Sequence, residues 1–219
     1  MLKNKHRLGL MQVLVLLGYY RLQLAMGRIR TLSDADNILR ARQLQAKIYL
    51  KHGNVNPAQV TPQGVLNKKT DPYVELSTYF GFVRRGHVLC AARVISSMDV
   101  QDLQISKGVS LNTKTKSVGY AELSGAVKES GANGLVVPAL ILHMMKYCES
   151  NSLEAYSVVT DQPYRRFKIF MGPFSTEIAK PYKIGHGENI VHPVKIDVNK
   201  PEKLPFAYRL LRREVLRPC

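Results

Sequence analysis

Cysteine is scarce in this sequence and tryptophan is absent. The three cysteines, Cys90, Cys148 and Cys219, are far apart and form no C-x-x-C pair, so the sequence indicates neither a disulfide framework nor a zinc site. The six histidines show no H-x-x-x-H spacing, which leaves no recognisable metal motif. We therefore expect a cytoplasmic protein without a bound metal.

Acidic residues are the second shortage. Asp and Glu number 16 against 32 Lys and Arg, which gives a net charge of +16. Such an excess favours anionic partners, namely nucleic acid, an anionic membrane face, a phosphate-bearing cofactor or an acidic protein. Charge by itself does not choose among these four classes.

Long hydrophobic runs and internal repeats are lacking too, which excludes solenoid architectures. Hydrophobic residues nevertheless make up 45% of the 219 residues, enough for a folded core. We predict a basic, apolar helical segment over residues 1–30, a main domain over 31–198 and a basic helix over 199–219.

The first thirty residues contain six Lys and Arg and no carboxylate around one apolar run, a layout similar to a signal peptide. A polar stretch, 19–23, separates that run from the small residues 25–27, and the run is shorter than the roughly 20 residues that cross a bilayer. Two interpretations stay open: a helix that packs on the domain, or a basic helix on anionic lipid. The packed stripe of the first would be Leu10, Val13, Leu14, Leu17 and Leu24.

The centre of the chain alternates helical and strand patterns. A helix is predicted over 36–49 behind the N-cap residues 33–36, and a long loop follows over 54–72. Period-two alternation predicts a hairpin over 73–95, with a turn at 84–87. The further predicted elements are a short strand at 118–124, helices at 135–148, 163–172 and 204–219, and strands at 153–160, 174–184 and 188–198.

A glycine-containing loop joins the strand at 118–124 to the helix that begins at 135. Glycines before a helix let backbone N–H groups approach an anion, where the helix dipole adds to the attraction. The candidate binding residues are Lys128, Gly131, Asn133 and Gly134. An ordinary turn followed by an N-cap explains the same residues, so both interpretations stay open.

Four charged residues give this order of elements a family likeness: Arg42 in the early helix, Asp71 before the hairpin, Arg93 in its second strand and Glu122 in the next strand. With them, the chain resembles the acyltransferases of the GNAT fold, and among these the acyl-homoserine-lactone synthase and N-acyl amino acid synthase branch. The resemblance implies an α+β fold, with a mixed, mostly antiparallel twisted sheet flanked by helices and extra helical segments at both ends.

The resemblance also implies a charged cluster of Asp71, Arg93 and Glu122 beside an acyl-thioester site, with Arg42 in a positioning role. In this interpretation Glu122 takes the proton of the attacking amine, and a salt bridge to Arg93 is its structural alternative. The family's arginine three residues after the glutamate is replaced by Gly125. Its absence argues against homoserine-lactone synthesis and favours N-acylation of an amino acid.

The donor implied by the resemblance is a fatty acyl-phosphopantetheine thioester, and no tightly bound cofactor is expected. The loop at 128–134 matches the family's phosphate-binding loop only in part, which favours acyl carrier protein over coenzyme A as the donor. The protein's positive charge also suits that acidic carrier. Backbone N–H groups of the splayed fourth strand, at Leu123, Ser124 and Ala126, would meet the developing oxyanion.

The acyl chain requires an apolar slot. Its candidate lining residues, for which a place in the ordinary core is the alternative, are Leu140, Met144, Met145, Phe167 and Phe170. Two other functions stay open: an acetyl-CoA-dependent N-acetyltransferase and a basic nucleic-acid-binding protein. No nucleic-acid-binding motif is present, so no specific nucleic acid is expected. The predicted location is cytoplasmic, with association to an anionic membrane as an option.

Overall fold

A computed structural model describes residues 7–111, 119–183, 190–199 and 204–217 of the 219-residue chain. Within these ranges it contains five α-helices and eight strands. The helices are α1 (Leu10–Ala25), α2 (Ala35–Lys51), α3 (Val136–Ser150), α4 (Asp161–Met171) and α5 (Phe206–Val215). The strands are β1 (Ile29–Thr31), β2 (Ser77–Arg84), β3 (His87–Ser97), β4 (Gly119–Lys128), β5 (Leu153–Thr160), β6 (Ser175–Glu177), β7 (Tyr182–Lys183) and β8 (Ile190–Ile196).

The strands follow the order β1-β2-β3-β4-β5-β8-β6, and β7 pairs with β8. The pairings of β1 with β2, β2 with β3, and β8 with β5, β6 and β7 are antiparallel. Helices precede, interrupt and follow this mostly antiparallel sheet. The predicted α+β class, with helical segments near both ends, is confirmed.

The chain divides into two compact units. The unit that contains the β2–β3 hairpin consists of Tyr19–Ser96 and Leu123–Met144, and we call it the hairpin unit. The other consists of the described parts of Met1–Gly18, Ser97–Glu122 and Met145–Cys219, and we call it the terminal unit. The three-part division of the chain predicted from sequence stays a prediction.

Helix α2 anchors the core of the hairpin unit. It starts at the N-cap Asp34, whose side chain accepts a hydrogen bond from the backbone N–H of Asn37 at 2.8 Å, and it ends before Gly53, which has a φ of +68°. Its buried face carries Ala41 and Leu44. These pack with residues of the sheet, namely Leu32, Tyr79, Val83, Val88, Ala91 and Val127.

Tyr208 of α5 is buried in the terminal unit. Its ring meets Phe174 edge-on at 5.8 Å, and its hydroxyl donates to the carbonyl oxygen of Ile169 at 2.5 Å. The same hydroxyl accepts the backbone N–H of Leu8 at 3.0 Å. In α5, Leu211 and Val215 are also buried, whereas Leu210 is half-buried and Leu216 is exposed, and the arginines of the helix are mostly exposed.

The buried face of helix α1 differs from the apolar stripe predicted from sequence. Val13 and Leu17 are buried as expected, but Leu10 and Leu14 are exposed, and Leu16 and Tyr20 are buried in their place. The buried face is thus rotated along the helix, because an almost uniformly apolar sequence leaves little polar contrast to define one face. No helix among the described residues is long and apolar enough to span a membrane.

Three further boundaries differ from the sequence prediction. Strand β1, which pairs with Phe80–Phe82 of β2, was not predicted because it has only three residues. Residues Val74–Leu76 form a 3₁₀ turn, so the hairpin begins later, at Ser77. The segment predicted as one strand over 174–184 contains two short strands, β6 and β7.

Candidate functional site

Asp71 and Arg93 form a buried ion pair in the hairpin unit. One guanidinium nitrogen, Nη1 of Arg93, lies 2.8 Å from Oδ1 and 2.7 Å from Oδ2 of Asp71. The side chains are only 5% and 4% exposed. The loop that precedes β2 supplies Asp71, and the middle of β3 supplies Arg93. The structure thus brings together two of the four charged residues selected from the sequence.

Tyr79 is the third member of this buried group, and sequence reasoning missed it. It lies directly opposite Arg93 in the β2–β3 register and is 4% exposed. Burial works to lower the pKa of Arg93, but the Asp71 carboxylate and Tyr79 outweigh it, so the pKa is raised above its ordinary value. Arg93 is therefore a permanent cation in an apolar surrounding.

The Nε atom of Arg93 is also buried, and within the described part of the chain it has no hydrogen-bond partner. A buried donor without an acceptor costs about 1–3 kcal/mol, so such atoms are rare and call for an explanation. A role in binding an anionic group would provide one.

Gly125 lies beside this pair and has a φ of +65°. A Cβ atom placed there would come within 2.9 Å of Nε2 of Gln45 and 3.7 Å of Cγ of Arg93. Gln45 is 4% exposed, and its Nε2 donates to the Tyr49 hydroxyl at 3.3 Å. A side chain at position 125 is thus disfavoured by the backbone conformation, and it would require the end of the Gln45 side chain to shift.

Gln45 is the second functional candidate that the sequence analysis did not select. Its signal was available, because a glutamine on the apolar face of an amphipathic helix is a buried polar residue that needs partners.

Glu122 belongs to the terminal unit and is 1% exposed. It lies in β4 between Ala121 and Leu123, which are buried as well. Its Oε2 accepts the backbone N–H of Ile105 at 2.8 Å, from a 3₁₀ turn after β3. The carboxylate predicted from sequence to need a structural or chemical reason is therefore buried and hydrogen-bonded.

Arg42 is half-buried on α2. Within the described ranges it makes no hydrogen bond or ion pair with Asp71, Arg93 or Glu122, and its positioning role stays a prediction.

The loop after β4 uses much of its own hydrogen-bonding capacity. The side chain of Asn133 accepts the N–H of Leu135 at 2.8 Å, and the carbonyl of the same residue accepts the N–H of Val136 at 3.1 Å. The ammonium group of Lys128 lies 3.2 Å from the carbonyl oxygen of Ala132. Asn133 thus starts α3 as an N-cap would, which is the structural alternative considered from sequence.

The space around Gly131 and Gly134 is open, since a Cβ atom at either position would meet nothing within 4 Å. Upstream in β4, Leu123 is buried, Ser124 is half-buried and Ala126 is exposed. Their role toward a thioester stays a prediction.

The predicted acyl-slot residues are mostly buried. Leu140, Met144 and Met145 are at most 2% exposed, and Phe170 is 7% exposed, whereas Phe167 is half-buried. Leu140 and Met144 belong to the hairpin unit, and the other three belong to the terminal unit. Their burial fits both a slot and an ordinary core, so the slot stays a prediction.

A polar cluster surrounds Tyr164 on α4 in the terminal unit. Its ring stacks on His192 at 3.6 Å, and its hydroxyl donates to Glu177, which also pairs with Lys168 at 2.5 Å. Burial, followed by the hydrogen bond to Glu177, raises the pKa of Tyr164. Nε2 of His192 lies 2.9 Å from Oδ1 of Asp161.

Cys90, Cys148 and His143 are the other potentially reactive side chains considered among the described residues. Burial raises the pKa of Cys90 and Cys148 to about 12, so neither is a thiolate at neutral pH. His143 lies 3.2 Å from the Tyr20 hydroxyl through Nδ1 and meets Phe80 edge-on. No cluster of three or more potential metal ligands occurs among the described residues. Cys219 lies outside those residues.

No protein-family model matches the chain, and no curated protein matches it either. Solved structures do. FeeM, an N-acyl amino acid synthase from uncultured soil microbes, is 12% identical over 78% of this chain and 91% of its own, with a TM-score of 0.58. BjaI, a CoA-dependent acyl-homoserine lactone synthase, is 12% identical over 88% of this chain and 90% of its own, with a TM-score of 0.62.

An acyl-CoA N-acyltransferase from Pseudomonas aeruginosa is similar at 10% identity over 75% of this chain and 92% of its own, with a TM-score of 0.51. These likenesses establish the fold. The GNAT-type fold inferred from the order of elements is confirmed, and both enzyme classes named in the sequence resemblance have solved structures with this fold.

Proposed function

We propose that this chain is an N-acyltransferase that moves a fatty acyl group from the thioester of an acyl carrier protein to the α-amine of an amino acid. The observation that carries the proposal is the buried Asp71–Arg93 pair, which occupies the elements implied by the sequence resemblance, on a fold shared with acyl-transfer enzymes. The pair is too dry to be an incidental surface contact.

The reaction forms one bond and breaks another. The amine nitrogen attacks the thioester carbonyl carbon, an amide C–N bond forms, and the C–S bond breaks as the thiolate leaves. The amine is mostly protonated at neutral pH, so its nitrogen loses two protons as the amide forms: one is released to solvent, and the other, taken by a base, finally reaches the leaving thiolate. Glu122 is the proposed base, directly or through water, and its burial and its hydrogen bond from Ile105 hold the carboxylate in one position.

Arg93 is proposed to position anionic groups. Its pKa is raised, one of its nitrogens binds Asp71, and its buried Nε has no acceptor among the described residues. A substrate carboxylate, as carried by an amino acid, matches the donors of a guanidinium group. Arg42 is proposed to assist from α2.

Gly125 supports an amino acid as the acceptor. A φ of +65° disfavours the arginine that the homoserine-lactone branch carries at this position, and the Gln45 amide would have to move to admit one. An acceptor that depends on that arginine is therefore disfavoured.

The loop at 129–135 supports the choice of donor. Three of its polar groups, the side chain of Lys128 and both acceptors of Asn133, are engaged inside the loop. The open space at Gly131 and Gly134 suits a slender pantetheine arm, whereas a firm grip on a pyrophosphate requires amides directed outward. Acyl carrier proteins are acidic, and the net charge of +16 favours their association.

The test is mass spectrometry of lipid extracts from cells that overproduce the chain, compared with cells that overproduce Glu122→Gln. We expect a series of amide-linked fatty acyl amino acids, reduced at least about 100-fold in the variant, as for loss of a general base. Glu154→Gln is the matched control, because Glu154 is also a largely buried strand carboxylate, paired with Lys195 and Tyr156, but has no proposed catalytic role. It should leave the product unchanged.

Equal product from Glu122→Gln would remove the base role. Absence of any product from the folded unmodified chain would overturn the acyl donor and favour acetyl transfer or nucleic-acid binding. Turnover of purified protein on acyl carrier protein and coenzyme A thioesters of equal chain length would then decide the donor.

A further inference from the structure

A surface pocket of about 370 Å³ in the hairpin unit is rich in arginine. Arg28, Arg30, Arg84 and Arg85 line it, and none of its lining residues is acidic. We call these four residues the arginine pocket. Within the described part of the chain, none of the four forms an ion pair, although Arg28 donates to Oε1 of Gln23 at 3.2 Å.

The sheet brings these arginines together. Strands β1 and β2 pair so that Arg30 lies opposite Gly81, and the N–H of Val83 donates to the carbonyl of Arg28 at 2.7 Å. The hairpin turn places Arg84 and Arg85 at the same end of the pair. The φ of Arg85 is +50°, in the left-handed region that a hairpin turn of this kind requires.

A fifth arginine reinforces the positive charge. Arg40, exposed on α2, donates to the carbonyl oxygen of Gly86 in the same turn. Five guanidinium groups therefore surround one end of the β1–β2–β3 sheet, where they repel one another unless an anion is present.

Apolar side chains adjoin the arginine pocket. Met26, 49% exposed, lies just after the end of α1 and lines the pocket itself, and Leu22, 56% exposed, lies one turn earlier. In the terminal unit, the first half of α1 exposes Met11 and Val15 as well. Leu22 and Met26 are thus two large exposed apolar side chains, one helical turn apart, at the end of α1 that reaches the arginine pocket.

An anionic phospholipid surface fits both features. A nucleic acid or a free phosphate would neutralise the arginines but leave Leu22 and Met26 in water. In a bilayer, headgroup phosphates lie directly beside the acyl boundary, so one surface can bind guanidinium groups and bury apolar side chains together. We propose that the arginine pocket, with Leu22 and Met26, is a docking site for an anionic membrane surface.

Vesicle sedimentation with the full chain tests this proposal. We expect binding to vesicles of phosphatidylcholine with phosphatidylglycerol, little binding to phosphatidylcholine alone, and weakening by added salt. Arg30→Gln with Arg84→Gln should weaken binding about 30-fold, from two lost lipid-facing charges. Leu22→Ser with Met26→Ser should also weaken it, by about tenfold or more.

The matched control is Arg165→Gln with Arg166→Gln, which removes the same charge from exposed positions of α4 in the terminal unit. It should bind vesicles as the unmodified chain does, and thermal unfolding should show that all variants fold. Equal weakening by this control would overturn a specific site in favour of diffuse attraction.

Three other results would overturn the proposal. Abolition of vesicle binding by a low concentration of inorganic phosphate would identify a phosphate pocket. The Arg30 and Arg84 changes could weaken binding of a purified acyl carrier protein while vesicle binding persists, which would identify a protein surface. Unchanged vesicle binding in the Leu22 and Met26 variant would exclude insertion. Vesicle binding requires no acyl transfer, so a failure of the membrane proposal leaves the proposed acyltransferase function unaffected. A failure of the acyltransferase proposal likewise leaves the membrane proposal unaffected.

Discussion

The Asp71–Arg93 pair and the Lys168–Glu177 pair have similar chemistry in opposite surroundings. The first pair, in the hairpin unit, is 4–5% exposed, and the second, in the terminal unit, is 42–49% exposed. Water screens the exposed pair and hydrates each partner when the pair opens, so its contribution to stability is small. The buried partners have no such alternative, and each depends on the other.

The difference in burial indicates which charged residues are candidates for a functional role. A buried ion pair rarely stabilises a protein more than apolar residues of the same shape would. Asp71 and Arg93 are therefore poorly explained by stability, whereas the charges of Lys168 and Glu177 are explained by their contact with water. The contrast can be tested by removing one partner from each pair.

Arg93→Met should have the largest effect on stability. The change leaves the Asp71 carboxylate buried without its cation, and we expect the free energy of unfolding to fall by about 3–5 kcal/mol. Urea unfolding of the purified variant measures this loss.

The double variant Asp71→Leu with Arg93→Met is the control for that result. It removes both charges, so it should regain much of the lost stability while acyl transfer stays absent. A loss below about 1 kcal/mol in the single variant, the range of exposed pairs, would contradict the contrast between the two regions.

Gly125→Arg should have the next largest effect, because it adds a side chain to the same buried region. The φ of +65° is unfavourable for arginine, and its Cβ would meet the Gln45 amide at 2.9 Å. We expect a loss of about 1–3 kcal/mol in unfolding free energy.

Gly134→Ala serves as the matched glycine control, since a Cβ there meets nothing within 4 Å. It should change stability by less than about 0.5 kcal/mol. Adding Gln45→Ala to Gly125→Arg separates the two causes, because it removes the contact and leaves the backbone strain. Full stability of Gly125→Arg alone would show that the position is open to the family's arginine.

The sequence predicted the order of elements well and the buried surroundings of the site only in part. Helix α2 has a clear N-cap at Asp34, so a local signal defined its start. Strand β1 has three residues and forms only because β2 supplies its partners. Local patterns carry no information about such pairing.

The residues of the candidate site were likewise predicted only in part. Asp71 and Arg93 were selected because their order along the chain matches the charged cluster that the family resemblance implies, and the structure pairs them. Tyr79 could have been inferred from the hairpin register, since it lies opposite Arg93. Gln45 could not have been placed beside Gly125, because their contact depends on how α2 packs against β4.

Lys168→Met should have the smallest effect on the free energy of unfolding, and that effect should depend on pH. The hydrogen bond from Lys168, followed by that from Tyr164, lowers the pKa of Glu177 below its ordinary 4.5, and the hydrogen bond to Glu177 raises the pKa of Lys168 above its ordinary 10.5. The stabilisation from Glu177 is complete above pH 4.5 and is lost as pH falls through its folded pKa. That from Lys168 is complete below pH 10.5 and is lost above it.

At neutral pH both partners are charged, so Lys168→Met should cost about 0.2–1 kcal/mol there and less at pH 3, which lies below the ordinary pKa of Glu177. Urea unfolding of the unmodified chain and the variant at both pH values measures the difference. A loss for Lys168→Met at neutral pH as large as that for Arg93→Met would show that exposure does not separate the two pairs.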